Sequence, residues 1–326
     1  MKRIITNALI LLAVAAIVVG CAHKSESPSA QGDDVAYAKH NSVYYWKTTF
    51  ALDSTEQTFL QRHQIDRIYL RMFDVAVEHN YNTQAAEVVP IATTKFISSI
   101  PAGVEIVPVT YITIEALRLM RGKENEYAQL IVERLLAMCS YNECGAIEEL
   151  QIDCDWTQTT ESSYFILCDC VKQLLQKRGI ALSVTIRLHQ LCGEVPPVDR
   201  GVLMLYNTGI LKKYETRNSI LDIKDVKIYV KFMQYGLPLD YAYPAFGWGV
   251  KFMIEEFVSI VSEQDTVSQA GEYIRKERPT YAEIVAVKKY VESHLGKPAS
   301  GNILYHLDYS QLNNYTDDEI NQILAY

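Results

Sequence analysis

Two aspartates, Asp153 and Asp155, sit in the run Glu149-Leu150-Gln151-Ile152-Asp153-Cys154-Asp155-Trp156-Thr157. Leu150, Ile152, Cys154 and Trp156 alternate there with Gln151, Asp153, Asp155 and Thr157. Period two marks a strand with one apolar and one polar face. On such a strand the two carboxylates share a face, with Cα atoms about 6–7 Å apart. Like charges that close are unfavourable unless a cation, a metal or a ligand meets them. Paired acids can also cleave glycosidic bonds, with carboxyls about 5–5.5 Å apart for retention and 6.5–9.5 Å for inversion. Glu161, four residues beyond Thr157, is a third candidate acid, and a solvated loop carboxylate is its plainer role.

These residues need elements to position them. Strand-like stretches fall at 43–48, 67–75, 104–111, 149–157, 180–188, 201–207, 240–245 and 302–308. Helical patterns fall at 54–64, 124–140, 162–179, 225–236, 283–295 and 317–324, with Ser54 and Gln57 spaced as a capping box. Residues 250–282 are extra material, expected to be mostly helical. The alternation, without a Gly-rich phosphate loop, predicts an α/β chain with a single (β/α)8 TIM barrel over 42–326. A doubly wound sheet fits the alternation too. The fifth stretch favours the barrel. Ser183, Thr185, Arg187 and His189 fall on one face and Val184, Ile186 and Leu188 on the other. A polar row on an internal parallel strand needs a lumen or cleft to face. Function in such barrels collects at the C-terminal strand ends. Those ends carry Trp46, Lys47, Arg71, Asp74, Asp153, Asp155, Arg187, His189, Tyr206, Asn207, Tyr243 and Asp308.

Each candidate has a plain alternative. Asp153 and Asp155 are either an active pair or members of an ion-pair network with Arg71 and Arg187, since buried charges must be paired. His189 is a base or a structural donor. His306 should share a face with Asp308. Trp46, Tyr243 and Trp248 form a stacking platform for sugar rings or an aromatic plug. No cofactor is called for. A metal site is disfavoured, because Asp153 and Asp155 have no clustered His or third carboxylate nearby in sequence.

Composition narrows the partners. The chain has 326 residues, 49% hydrophobic, enough for a full core. Its net charge of −8 argues against nucleic acid and anionic membrane surfaces. Lys2 and Arg3 precede an apolar run, 4–19, too short for a convincing membrane span. Val18-Val19-Gly20-Cys21 resembles a bacterial lipobox. That implies a signal peptide over 1–21, cleavage before Cys21, and lipid (palmitate among the acyl groups) on its thiol. Two or more acyl chains anchor firmly, so the expected location is the cell envelope, anchored by lipid to the outer membrane, with the leaflet open. Residues 22–41 are polar and read as a flexible tether. Cys139 with Cys144 is the favoured disulfide pairing, beside the alternative of plain buried thiols.

Four motifs in chain order resemble one family. Ile152-Asp153-Cys154-Asp155-Trp156 is similar to the strand-four signature of family-18 glycoside hydrolases, the chitinases and endo-β-N-acetylglucosaminidases. Met204-Leu205-Tyr206-Asn207 resembles their strand six, Tyr243-Pro244-Ala245-Phe246-Gly247-Trp248 their strand seven, and Ile303-Leu304-Tyr305-His306-Leu307-Asp308 their strand eight, with Tyr305 about where a floor Trp is usual. The resemblance implies that Asp155 orients a substrate acetamido group and that Tyr206 helps hold its carbonyl. It also exposes departures: Leu150 stands where the family has Asp, and Thr157 where it has its general acid, Glu. A threonine hydroxyl cannot protonate a leaving oxygen. The stretches 44–50 and 69–75 also resemble barrel lipoproteins of Bacteroidetes type, a likeness that names no activity.

The expected function is therefore a lipoprotein that interacts with glycans, binding an N-acetylhexosamine-type oligosaccharide without the usual acid. One alternative is an active hydrolase of O-glycosidic bonds with a relocated acid, its catalytic residues drawn from Asp153, Asp155 and Glu161. The other is an inert scaffold. Sugar contacts are expected from Trp46, Arg71, Arg187, His189, Tyr206, Asn207, Tyr243, Trp248 and Asp308.

Overall fold

Period-two alternation becomes a closed barrel in the computed structural model, which describes residues 37–231 and 235–326. In chain order the strands are β1 (Asn41–Tyr45), β2 (Thr49–Phe50), β3 (Ile65–His79), β4 (Ala86–Ile91), β5 (Lys95–Phe96), β6 (Glu105–Ile112) and β7 (Glu149–Asp153). They continue with β8 (Ala181–Ile186), β9 (Arg200–Met204), β10 (Leu239–Pro244), β11 (Trp248–Met253), β12 (Glu256–Val261), β13 (Glu272–Glu277) and β14 (Asn302–Tyr305). The helices are α1 (Ser54–Arg62), α2 (Ile114–Leu119), α3 (Glu124–Tyr141), α4 (Glu161–Gln176), α5 (Ile223–Tyr229), α6 (Tyr281–Leu295), α7 (Tyr309–Leu312) and α8 (Asp317–Leu324). Strand order β1-β14-β10-β9-β8-β7-β6-β3, closed by the β1–β3 pairing, makes an eight-stranded parallel barrel. The predicted TIM barrel is the fold.

The two strand faces go to two places. Leu150, Ile152, Leu182, Val184 and Ile186 are fully buried in the outer layer with helix residues such as Leu135 and Leu167. The opposite faces fill the lumen. Low in it, Glu149 stands 2.7 Å from Arg200 and 3.8 Å from Arg67. Above them the Tyr44 hydroxyl donates to Gln151 Oε1 at 2.7 Å, and Gln151 Nε2 donates to Ser183 Oγ at 3.2 Å. Gln151 thus has a hydrogen-bond partner on each side, as buried polar groups require, while the buried Tyr69 hydroxyl has none among the described residues.

Several boundaries differ from expectation. Residues 250–282 are not mostly helical: β11, β12 and β13 form an antiparallel sheet in the order β12-β11-β13. Ile254 and Glu255, both at positive φ (47° and 67°), turn β11 into β12; two left-handed turn residues suit a tight hairpin, and β-branched alternation in Glu256-Phe257-Val258-Ser259-Ile260-Val261 suits a strand. Helix α5 spans seven residues, shorter than the 225–236 expected, capped by Asp222 and ended by Val230 in extended backbone; residues 232–234 lie outside the described ones. Asp53, not Ser54, caps α1, in a box with Glu56. The packed chain begins before residue 41: the His40 N–H donates to the Ser300 carbonyl at 3.0 Å, and Lys39 Nζ to that of Ala299 at 2.8 Å. Cys139 and Cys144 are free, buried thiols in hydrogen-bond contact with each other. The expectations for residues 1–21, Cys21 included, fall outside the described residues.

The hairpin β3–β4 continues past the barrel. Asp74 pairs with Ile91 and His79 with Ala86, leaving the far side of β4 as an edge. Asn80 N–H donates to the Ala85 carbonyl, so by antiparallel alternation Ala86, Val88 and Pro90 turn their backbone outward. Proline at an outward position removes a donor and blunts the edge.

Candidate functional site

Strand β7 ends at Asp153, and residues 154–157 lead toward α4. Asp153 is 3% exposed and accepts a hydrogen bond from the Thr185 hydroxyl on β8. Asp155, one step beyond the ladder, has a side chain 40% exposed. Arg187, just past β8, meets both: its Nε donates to Asp155 Oδ1, and its Nη2 lies 3.6 Å from Asp153 Oδ1. The cation that two neighbouring carboxylates require is therefore Arg187. Arg71 plays another part. Its Nε donates to Asp74 Oδ1 at 2.8 Å, and its guanidinium lies 5.7 Å from the Trp46 ring.

Arg187 is held by a residue the strand pattern did not single out. The Arg187 N–H donates to Gln190 Oε1 at 2.8 Å, and Gln190 Nε2 donates to the Trp156 carbonyl at 3.0 Å. Gln190 is 1% exposed, on the 3-10 turn Leu188–Cys192. It ties the end of β8 to the chain leaving β7, which fixes where the guanidinium points. The same turn takes His189 off the strand alternation and leaves it exposed.

Charge and burial set the protonation preferences. Burial raises the Asp153 carboxyl above the usual range; Arg187 and Thr185 oppose that rise, while Asp155 and Asp74 add to it. Burial alone would weaken the hold of Arg187 on its proton, but Asp153, Tyr206 and Asp155 together raise its pKa. Burial, then Tyr305, push the Tyr206 phenol well up, and Arg187 acts against them.

Aromatic rings line the barrel mouth. Tyr206 stacks on Tyr305 with centroids 4.3 Å apart and planes at 25°. Trp46 lies 6.0 Å from Tyr305, Phe246 5.7 Å from Tyr305, and Trp248 5.2 Å from Phe246. The Trp248 Nε1 donates to Glu277 Oε2 at 3.0 Å, which ties the row to the β11–β13 sheet. Tyr243 is not in this row. It is fully buried in the outer layer, because its neighbour Ala242 takes the lumen face of β10. Phe246, beyond Pro244, supplies a ring at the mouth instead.

A cleft of about 270 Å³ opens beside these groups, lined by residues that include Asp155, Arg187, His189, Tyr206, Asn207 and Tyr229. That is close to the lower limit for small-ligand pockets. Asn207, exposed and at φ 55°, marks the turn out of β9. A larger cavity of about 710 Å³, lined by Lys39, Asn41 and Asp66 among others, lies at the N-terminal ends of β1 and β3. Volume alone would choose it, but barrels of this kind carry their sites at the opposite end.

Two other candidates lie apart from the cleft. Glu161 opens α4, and its Oε2, with the Trp156 ring, stands nearest to where a side chain on Gly193 would start, at 3.4 Å. Asp308 caps α7, accepting from the Ser310 N–H at 3.0 Å and its hydroxyl at 2.7 Å. Thr157, just past the end of β7, shares a 3.0 Å hydroxyl hydrogen bond with Thr159. His306 follows β14 and is partly buried; burial lowers its pKa, with Asp308 opposing and Lys47 adding to that shift.

No family model matches the sequence, and no curated protein does. Solved structures do. The spore cortex-lytic enzyme SleL of Bacillus megaterium is similar at a TM-score of 0.57 and 12% identity, over 88% of this chain and 75% of that one. A chitinase from Chromobacterium violaceum gives 0.55 and 10%, over 85% and 98%. The GH18 chitinase ChiB of Flavobacterium johnsoniae gives 0.51 and 13%, over 88% and 94%. At these identities the likeness is one of fold. The chain shares the (β/α)8 barrel fold of these three enzymes.

Proposed function

We propose that this barrel binds glycans containing N-acetylhexosamine and does not cleave them by the family's proton donor. One observation carries this: Asp155 and Tyr206 line a single cleft, and the sequence resemblance puts Thr157, which cannot ionise usefully, where the family has its acid. In this reading Asp155 meets the acetamido group, Tyr206 its carbonyl, and the Tyr305 ring stacked on Tyr206 extends the sugar face beyond the cleft. The fold shared with chitinases and a cortex-lytic enzyme supports a sugar ligand. Hydrolysis through a relocated acid is less supported, because the Glu161 carboxylate stands beside Trp156 and Gly193 and is not among the cleft-lining residues. An inert scaffold is disfavoured by the cleft itself.

Lipid attachment at Cys21 and residence on the outer membrane complete the proposal, supported by the basic start, the apolar run and Gly20-Cys21. The test of function is calorimetric titration of the soluble barrel with chitin oligomers, peptidoglycan fragments and N-glycans. Saturable binding of an N-acetylhexosamine chain is expected. Silence across all three classes would sink the proposal.

A further inference from the structure

Helix α3 stops by a backbone device that brings two thiols together. The Cys144 N–H donates to the Cys139 carbonyl at 3.0 Å, and the Glu143 N–H to the Ser140 carbonyl at 3.4 Å. Glu143 sits at φ 53°, the left-handed position that such a stop requires. This pair of bonds folds the chain back over the last helical turn. It sets the residue after the left-handed one against a residue of that turn, where an apolar contact commonly lies. Here both residues are cysteines, each 3% exposed.

The two thiols share a hydrogen bond. That bond, helped by burial, raises the Cys139 thiol; the same bond lowers the Cys144 thiol, with burial opposing. Cys144 is therefore the readier thiolate of the two, and the thiolate is the form that exchanges with disulfides. The remaining cysteines are placed differently. Cys168 is fully buried and bonded to the Tyr164 hydroxyl, and Cys192 is exposed on the turn after β8. The pair also has a mechanical position. Cys139 lies in the last turn of α3, and Cys144 begins the link to β7, the strand that ends at Asp153.

We propose that Cys139 and Cys144 form a reversible disulfide that staples the end of α3 to the chain entering β7. This stands apart from the glycan reading. The chemistry is thiol–disulfide exchange with an external disulfide, which an oxidising compartment supplies. The Cys144 thiolate attacks one sulfur of that disulfide, and the other sulfur leaves as a thiolate. The Cys139 thiolate then attacks Cys144 Sγ in the mixed disulfide, closing the intramolecular bond and expelling the second external thiolate. The two released thiolates take up the two protons that the cysteines gave. Two protein thiols are oxidised and one external disulfide is reduced. Exchange at these buried sulfurs proceeds when the end of α3 frays, as helix ends do. Tyr141, Glu143 and Gly145 around them are exposed.

The test incubates the full chain with glutathione disulfide, unfolds it, alkylates with iodoacetamide without reductant, and maps the cysteines by mass spectrometry. Digestion at glutamate cuts after Glu143, between the two cysteines, so a disulfide leaves two peptides joined. The expected result is that joined pair, unlabelled, with both labels appearing only after reduction by dithiothreitol. The oxidised protein should melt about 4–8 °C above the reduced one, the effect of closing a six-residue loop in a domain of this size. Cys139→Ala and Cys144→Ala each remove one partner and should show no shift with oxidant. Each variant is read against its own reduced state, and the peptide map of the wild type needs no variant at all. Labels on both cysteines after oxidant, glutathione retained on either, or a link to another cysteine would overturn the proposal. A closed bond with unchanged Tm would overturn the staple.

Discussion

Removing the Tyr305 ring should loosen the barrel mouth and weaken sugar binding together. Tyr305 is half-buried at the end of β14 and lies against five rings: Tyr206 at 4.3 Å, its neighbour His306 at 5.3 Å, Tyr44 and Phe246 both at 5.7 Å, and Trp46 at 6.0 Å. Truncating a fully buried aromatic to alanine costs about 3–5 kcal/mol. Tyr305 is only half-buried, so the lower end applies, about 3 kcal/mol. For a domain of this size each kcal/mol lowers Tm by about 2–4 °C, giving a fall of about 6–12 °C. Tyr305→Phe keeps every ring contact and should stay within about 1 kcal/mol of wild type. Thermal unfolding followed by circular dichroism reads the stability. Losing a stacking face should also cost about 0.5–1.5 kcal/mol of sugar affinity, about 2- to 12-fold, measured by calorimetry. An alanine variant with wild-type Tm and wild-type affinity would refute the view that these rings form one packed sugar floor.

The remaining predictions concern the carboxylates, the missing acid and the anchor. Asp155→Ala should weaken binding of N-acetylglucosamine oligomers by about 10- to 100-fold, the value of a hydrogen bond to a charged group, whereas Glu161→Ala should leave calorimetric affinity unchanged. If Thr157 corresponds to the acid of family-18 enzymes, as proposed, Thr157→Glu places a carboxyl there and should produce release of aryl aglycone from an N-acetylglucosaminide at a rate above wild type in a spectrophotometric assay. For Asp153 the folded-state pKa lies above the unfolded value near 3.8, so its contribution is complete below that value and is lost as pH rises through the folded pKa. Asp153→Asn removes that titration. Its Tm should therefore improve relative to wild type as pH rises from about 4, and a flat difference curve would contradict the assignment. Cys21→Ser should move the protein from the membrane fraction to the soluble fraction and abolish labelling by a palmitate analogue.

Much of the barrel was legible because strand alternation is local. Leu150, Ile152, Val184 and Ile186 had to face helices, and Gln151 and Ser183 had to face a lumen, whatever lay far away in sequence. Strand ends were less legible, since alternation continues past the point where hydrogen bonding stops. His189 shows this: it keeps the parity of Thr185 yet lies on a turn that Gln190 folds back toward Trp156. Tyr243 shows a second limit. A tyrosine near a strand end suits either layer, and its parity relative to Ala242 decides that it is core. The β11–β13 sheet was missed because its pairing is non-local: Gly249, Lys251 and Val250 are compatible with a helix until Lys276, Ile274 and Arg275 arrive to pair with them. The ion pairing was half legible. Arg187 meets Asp153 and Asp155 as expected from parity, while Arg71 turns to Asp74, three residues along its own strand.

The most direct measurement of the central claim is a crystal structure of the barrel soaked with tri-N-acetylchitotriose. The account predicts one ring seated at Tyr305, its acetamido group between Asp155 and Tyr206, and its glycosidic bond intact beside Thr157. A trimer found in another cavity with this cleft empty, or a cleaved product in the cleft, would contradict it.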